Sequence, residues 1–216
     1  MNKQPVSRRN FLKIAGFALG GTVLACSGLG FLATRQPEVE LIQMQCKADT
    51  PESAKTLIAY ASKCGSTGEV AKAIARVLCD LDVDVDVRLA DEVISLIPYN
   101  RVIIGSAIRM GQWLPAARNF VKTQQTTLVQ LPTMIFSVHM TNLGDDEAAQ
   151  QARAAYTAPV HEHITPQAEA FFAGKMELAK LSFLDRMISK AMGAQDQDLR
   201  DWDAIRAWAR GILEVQ

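Results

Sequence analysis

Short apolar runs alternate with helix-periodic segments from Thr56 to the C-terminal region, and no other feature constrains the fold as tightly. Thr56–Ala61 (TLIAYA) has the length and composition of a buried strand. From Val70 onward, apolar residues at Ala73, Ile74, Val77 and Leu78 fall on one face of a helix. Val83, Val85 and Val87 alternate with Asp84, Asp86 and Arg88, which predicts a strand with one wet face near a sheet edge. RVIIGSAI (101–108) predicts a buried strand running into a loop, Leu114–Gln124 a helix, and TMIFSVHM (133–140) another buried strand. Glu147–Tyr156 reads as an alanine-rich helix that stops before Pro159. AEAFFAGKME (168–177) supplies a fifth strand, and Trp202–Leu213 a last helix with Asp201 as its N-cap. Strands and helices that alternate at such short spacing imply a parallel sheet with helices on both faces.

The segment before this domain has a different character. Ser7-Arg8-Arg9-Asn10-Phe11-Leu12-Lys13 precedes Ile14–Ala33, a stretch without charge. Basic residues ahead of an apolar stretch mark a targeting segment. The first part resembles a twin-arginine export signal, and residues 1–33 are expected to be that signal or a membrane anchor helix. VLAC, ending at Cys26, also resembles a lipoprotein cleavage box, so cleavage, lipidation and retention all remain open. Residues 34–54, with Pro37 and Pro51 and no sustained period, read as a linker in which VELI (39–42) pairs weakly at most, and 55–216 as the folded domain.

The 216 residues suffice for one domain with a real core. The formal net charge is zero and no basic patch stands out, so no nucleic-acid partner is expected. Cys26, Cys46, Cys64 and Cys79 form no CxxC pair; the spacing implies neither a metal site nor a disulfide framework.

In an open parallel sheet, ligands bind beyond the carboxyl ends of the strands, where strand order reverses. The loop Ser62-Lys63-Cys64-Gly65-Ser66-Thr67 lies there, between the first strand and its helix. Gly65 permits a tight turn and close backbone approach. Hydroxyls from Ser62, Ser66 and Thr67, charge from Lys63 and the N–H groups of the following helix suit a phosphate. A plain capped turn is the alternative. Neither GxGxxG nor GxxxxGK[ST] is present. A second loop, Ser106-Ala107-Ile108-Arg109-Met110-Gly111, ends near Trp113, and both Met110 and Trp113 could pack against a flat ring.

These residues carry a resemblance. From Lys55 to the C-terminus the chain resembles a flavodoxin domain, whose phosphate loop T/S-x-T/S-G-x-T is matched by residues 62–67 except at Cys64. Within that superfamily it is most similar to the menaquinone-dependent protoporphyrinogen dehydrogenases, through YNRVIIGSAIRMGQW, AARNFVK, MIFSV, FFAGKM, SFLDRMISKAM and LRDWDAIRAWA. The resemblance implies a doubly wound, five-stranded parallel sheet in the order 2-1-3-4-5 and FMN as cofactor. It implies that Ser62–Thr67 holds the phosphate, that Ser106–Gly111 lines one side of the isoalloxazine, and that Val138, His139, Met140, Thr141 and Asn142 line the other. Arg109 and His139 are the candidates for tuning the flavin; no acid–base pair is evident.

Two functions follow. One is an FMN oxidoreductase that oxidises a protoporphyrinogen-like substrate and passes electrons to a quinone. The other is an FMN carrier between redox protein partners outside the cytoplasm. The export signal weighs against the porphyrin itself, since haem precursors are normally made inside the cell. Leu181, Leu184, Met187, Ile188 and Ala191 form an apolar stripe, with Lys180, Arg186 and Lys190 largely off it, so residues 180–192 suit a membrane surface, a partner or the chain's own sheet. Cys64 is read as a small loop residue, or as a thiol activated by the helix N-terminus and Lys63.

Overall fold

The computed structural model describes residues 37, 39–50, 54–191 and 193–214. The expected export signal or anchor helix (1–33) lies outside them. Among the described residues no helix is long and apolar enough to cross a membrane.

The elements in chain order are β1 (Met44–Cys46), β2 (Lys55–Ala61), α1 (Ser66–Asp80), β3 (Asp84–Leu89), β4 (Arg101–Arg109), β5 (Gln112–Trp113), α2 (Pro115–Leu128), β6 (Thr133–His139), α3 (Glu147–His161), β7 (Ala168–Ala173), β8 (Lys175–Met176), α4 (Phe183–Ala191), β9 (Gln197–Asp198) and α5 (Trp202–Gly211). The main sheet runs β1-β3-β2-β4-β6-β7. Its five longer strands pair parallel, which gives the expected order 2-1-3-4-5. Order reverses between β2 and β4, so their carboxyl ends flank the switch point.

Both faces of the sheet are covered. α1 and α5 pack on one through Val70, Ile74, Leu78, Ile205 and Ala209. α2 and α3 cover the other through Ala117, Phe120, Val121 and Val160. The central strands are buried on both sides, which is why they read as continuous apolar runs with no alternation. The chain divides into two compact units. One is Val39–Glu177 with Asp196–Gln216; the described part of the other is residue 37 with residues 178–191 and 193–195, which include α4.

Four expectations need correction. Residues 34–54 are not simply a linker: Met44–Cys46 pairs antiparallel with Val85–Val87 at the sheet edge. Cys46 and Cys79 form a disulfide although their spacing gives no sign of one. Edge pairing brings β1 beside the end of α1, a proximity that tertiary structure creates. The alanine-rich helix does not stop before Pro159 but runs to His161 with the proline inside. Pro159 lies in the last turn, where it sacrifices one helical hydrogen bond, and the helix continues because Tyr156 and Val160 are buried. Finally, Ser106–Arg109 is not loop: β4 continues to Arg109 and turns back into β5.

Candidate functional site at the carboxyl ends of the strands

Three loops meet at the switch point because the parallel register aligns their roots. Ala61 pairs with Ser106, Ser106 with Ser137, and Ala107 with Val138. The segments leaving β2, β4 and β6 therefore start side by side.

The first is the loop 62–67. Ser62 Oγ accepts the Gly65 N–H at 3.0 Å and closes a tight turn. Gly65 has φ +88°, where side chains are strained. It is also crowded: a Cβ there would lie 3.2 Å from Val39 Cγ1. Helix α1 starts after Gly65 with no side-chain cap. The helices α3 and α5, by contrast, are capped by Asp146 and Asp201. The first-turn N–H groups of α1 are thus left for another acceptor. Thr67 is fully buried, and its Oγ1 has no hydrogen-bond partner. Ser66 is placed differently from the expectation, since its Oγ accepts the Lys175 N–H at 3.0 Å and roots β8. Lys63 and Cys64 are half-buried.

Residues 106–111 form a β-hairpin. Met110 (φ +52°) and Gly111 (φ +72°) make its two-residue turn, both in the left-handed region that suits strand twist. Arg109 and Met110 are exposed. Ser106 is buried, and its Oγ accepts the Leu114 N–H at 2.9 Å. Trp113 is not available as a ring platform: it is buried in the core and donates from Nε1 to Ser137 Oγ at 2.8 Å. Ser137 thus supports the hairpin from the neighbouring strand, a role its place in an apolar run conceals.

In the third segment Val138 and His139 end β6, and Met140–Asn142 form the loop. His139 is buried and its Nδ1 lies 2.6 Å from the Thr141 carbonyl, so Nδ1 carries the proton and donates. Burial pushes its pKa below the ordinary value. The ring holds the loop in shape and packs against Phe171 and Tyr156. Sequence reasoning missed two residues of α3 here. Tyr156 OH accepts from Asn142 Nδ2 at 2.5 Å, and Arg153 Nη1 donates to the carbonyls of Asn142 and Gly144, each at 2.6 Å. Helical spacing puts both on one face, but their partners come from a preceding loop.

A depressed histidine has a definite pH signature. Unfolded His139 takes up a proton near pH 6.5, while the folded ring resists it to lower pH. Stability should therefore fall as pH drops below about 6.5. Thermal melts of His139→Gln between neutral and mildly acidic pH should lack that part of the slope; an identical slope would place the titrating group elsewhere.

Beside the first loop is a charged knot not anticipated from sequence. The Arg200 guanidinium is buried, bonded to Glu69 of α1 at 2.5 Å and to both carboxylate oxygens of Asp198. It also stacks 4.4 Å over Trp202. Hydrogen bonds from Arg200 hold the Asp198 carboxyl below the usual range. β8 and β9 pair antiparallel, Lys175 with Asp198 and Met176 with Gln197.

The model of the family described as "Flavodoxin domain" matches residues 57–201. The protoporphyrinogen IX dehydrogenase [quinone] of Escherichia coli K12 is 28% identical over 175 residues, covering 74% of this chain and 96% of that protein. The enzyme of the same name from Leishmania major is 29% identical, covering 73% of this chain and 74% of that protein. Among solved structures, oxidised Flavodoxin 1 from Bacillus cereus superposes with a TM-score of 0.50 at 14% identity, over 76% of this chain and 99% of that one.

Proposed function

This chain belongs to the flavodoxin-domain family, and from that premise we propose that it is an FMN-dependent oxidoreductase working outside the cytoplasm, linked to a quinone. One observation carries the cofactor assignment. Thr67 presents a buried, unpartnered hydroxyl at the start of a helix that no side chain caps. An anion bound there would satisfy both the hydroxyl and the helix N–H groups. The FMN phosphate fits this donor set, with the Ser62–Gly65 turn bringing backbone close and Lys63 adding charge. The hairpin 106–111 and the loop 138–142 would flank the isoalloxazine, held by Ser137 and by Tyr156 and Arg153. Bound FMN supplies reversible transfer of one or two electrons. The protein's part is to hold the ring, shield it and set the local charge, with Arg109 the cation nearest to hand on the hairpin.

Similarity to the quinone-linked dehydrogenases along nearly the whole length of the E. coli protein supports the enzyme reading. A carrier between redox proteins is the second reading. Turnover of protoporphyrinogen with a menaquinone analogue separates the two. The export assignment is supported by Arg8-Arg9 in its setting and by the Cys46–Cys79 disulfide, a bond that persists in oxidising compartments.

The test of the cofactor assignment is Thr67→Val. The substitution removes a hydroxyl that bonds nothing in the free protein, so stability without ligand should hold or rise. FMN affinity should drop roughly 10- to 100-fold, by titration against the flavin visible spectrum, while riboflavin affinity stays unchanged. Equal losses for both ligands would mean that this loop does not hold phosphate.

A further inference from the structure

We propose that residues 39–46 brace the phosphate loop and that the Cys46–Cys79 disulfide is the catch: a dithiol reductant that opens it frees the brace and lowers the affinity for the phosphate of FMN. The effect on the cofactor rests on the FMN reading; the brace itself does not. The brace acts on the loop at two places, one on each side of Thr67. Val39 covers Gly65, where a Cβ would lie 3.2 Å from Val39 Cγ1 and 3.8 Å from the Glu40 carbonyl oxygen. Ile42 acts through Tyr60, whose hydroxyl donates to the Ile42 carbonyl at 2.9 Å. Tyr60 is fully buried in β2 and presses on Gly68: a Cβ there would fall 2.8 Å from the same hydroxyl. Thr67, with its unpartnered Oγ1, stands between the two contacts.

The catch is at the other end of the same helix. α1 ends at Asp80, and Cys79 lies in its last turn. At its rise per residue, the path from Gly65 to Cys79 is about 21 Å. The brace makes that journey in the seven steps from Val39 to Cys46, and seven residues reach at most about 25 Å. Exposure alternates residue by residue from Leu41 to Lys47, as it does along an extended chain. An extended brace therefore reaches from one end of α1 to the other with little slack, and while the disulfide is closed Val39 has few other places to go. The non-covalent hold is much weaker, since only Met44–Cys46 pairs with β3. A ladder that short at a sheet edge opens locally.

Cys46 and Cys79 are both half-buried, so neither is sealed in the core. A thiolate of the reductant attacks one of their sulfurs to give a mixed disulfide, and its second thiolate displaces the protein. The reductant gives up two electrons and leaves as a disulfide; Cys46 and Cys79 take up those electrons and two protons and become thiols. The Tyr60 hydroxyl then loses its acceptor in a buried place, and Gly65 loses its cover. The loop samples forms in which the Thr67 hydroxyl and the first-turn N–H groups of α1 no longer converge on one anion. If the convergent form is present about one tenth of the time, the apparent affinity falls about tenfold. Riboflavin, which lacks the phosphate, is spared.

The experiment uses the full chain, either oxidised or reduced with dithiothreitol and freed of the reagent under argon. Reduction should raise the FMN dissociation constant about tenfold and leave that of riboflavin within about twofold. The Cys46→Ser/Cys79→Ser variant should bind FMN as the reduced chain does and should not respond to dithiothreitol. FMN bound equally tightly by oxidised and reduced chains, or a response that survives in the double-serine variant, would overturn the proposal. Val39→Ala/Tyr60→Phe cuts both contacts with the disulfide closed. It should bind FMN about tenfold more weakly, and reduction should add nothing further; a full response to reduction in this variant would overturn the route through the brace. Hydrogen exchange in the flavin-free chain reads the brace without the cofactor. On reduction the Glu69 N–H, bonded to the Gly65 carbonyl at 3.0 Å, should gain more in exchange rate than the N–H groups of α3 on the other face of the sheet. Equal acceleration in both would mean general destabilisation and overturn the brace. A response in exchange from a chain that binds no FMN in either state would refute the FMN assignment and leave the brace standing.

Discussion

Replacing Cys46 and Cys79 with serine should lower the free energy of unfolding by about 3–4 kcal/mol. The bond closes a loop of 33 residues, and chain-entropy arguments give a value of this size for such a loop. The loss should also be directional. β1 has only three residues of pairing to hold it at the sheet edge, so without the cross-link it is the first element to detach. Val39 and Ile42 would loosen with it, and these residues contact Gly65 and accept the Tyr60 hydroxyl. Denaturant unfolding of the oxidised protein, the reduced protein and the double-serine variant measures the loss, and the two altered forms should agree. A loss below about 1 kcal/mol would show that the cross-link constrains little of the unfolded chain. The same cysteines report on export. Changing Arg8 and Arg9 to lysine should hold the protein in the cytoplasm, because the signal is read through paired guanidinium groups and not by charge alone. There the two cysteines should alkylate as thiols, whereas the exported protein should resist alkylation until reduced. A disulfide formed equally in the retained variant would remove the link between this bond and the compartment.

The alternation of strands and helices and the parallel sheet were legible because they depend on local signals that repeat, whereas the strand order came only from the resemblance. The apolar runs at 57–61, 102–105 and 133–138 are buried on both faces, and that burial is what gives them their composition. Asp201 announced the last helix through a cap that operates within three residues. The loop 62–67 was legible for the same reason, since Gly65 and its flanking hydroxyls are consecutive. What escaped was long-range. Cys46 meets Cys79 only after β1 has found the sheet edge. Ser137 looks like a polar interruption in a strand until Trp113 returns from the hairpin to bond it. Arg200 gathers Glu69 from 131 residues away. Trp113 was assigned toward the ligand by residue type, and His139 by the resemblance. The fold uses both to support the loops, because each has a polar atom that must find a partner once the ring is buried.

Gly105→Ala, a change of one methyl group, should cost about 2–3 kcal/mol, against the usual expectation for a strand interior, where alanine is the better residue. Gly105 lies in the middle of β4 and pairs with Phe136 of β6. The Phe136 ring lies across it: a Cβ on Gly105 would fall 2.1 Å from Cζ and 2.4 Å from Cε1. Such contact forces either the ring or the strand to move. The ring has no room, because Phe172 and Trp208 hold it at centroid distances of 6.2 Å each. Phe136→Ala alone should cost about 3–5 kcal/mol through the cavity it opens. In that background the obstacle is gone, so Gly105→Ala should become neutral or slightly stabilising. A double-mutant cycle should then return a coupling of about 2 kcal/mol or more; additive effects would mean that Gly105 is not the seat of the ring. The consequence reaches the cofactor end. Ser106 follows directly, and its hydroxyl anchors Leu114 and with it the base of the hairpin. A strand pushed off Phe136 carries Ser106 with it, so Gly105→Ala should weaken FMN and riboflavin binding alike. Loss at the phosphate loop spares riboflavin, and by that difference the two lesions can be told apart.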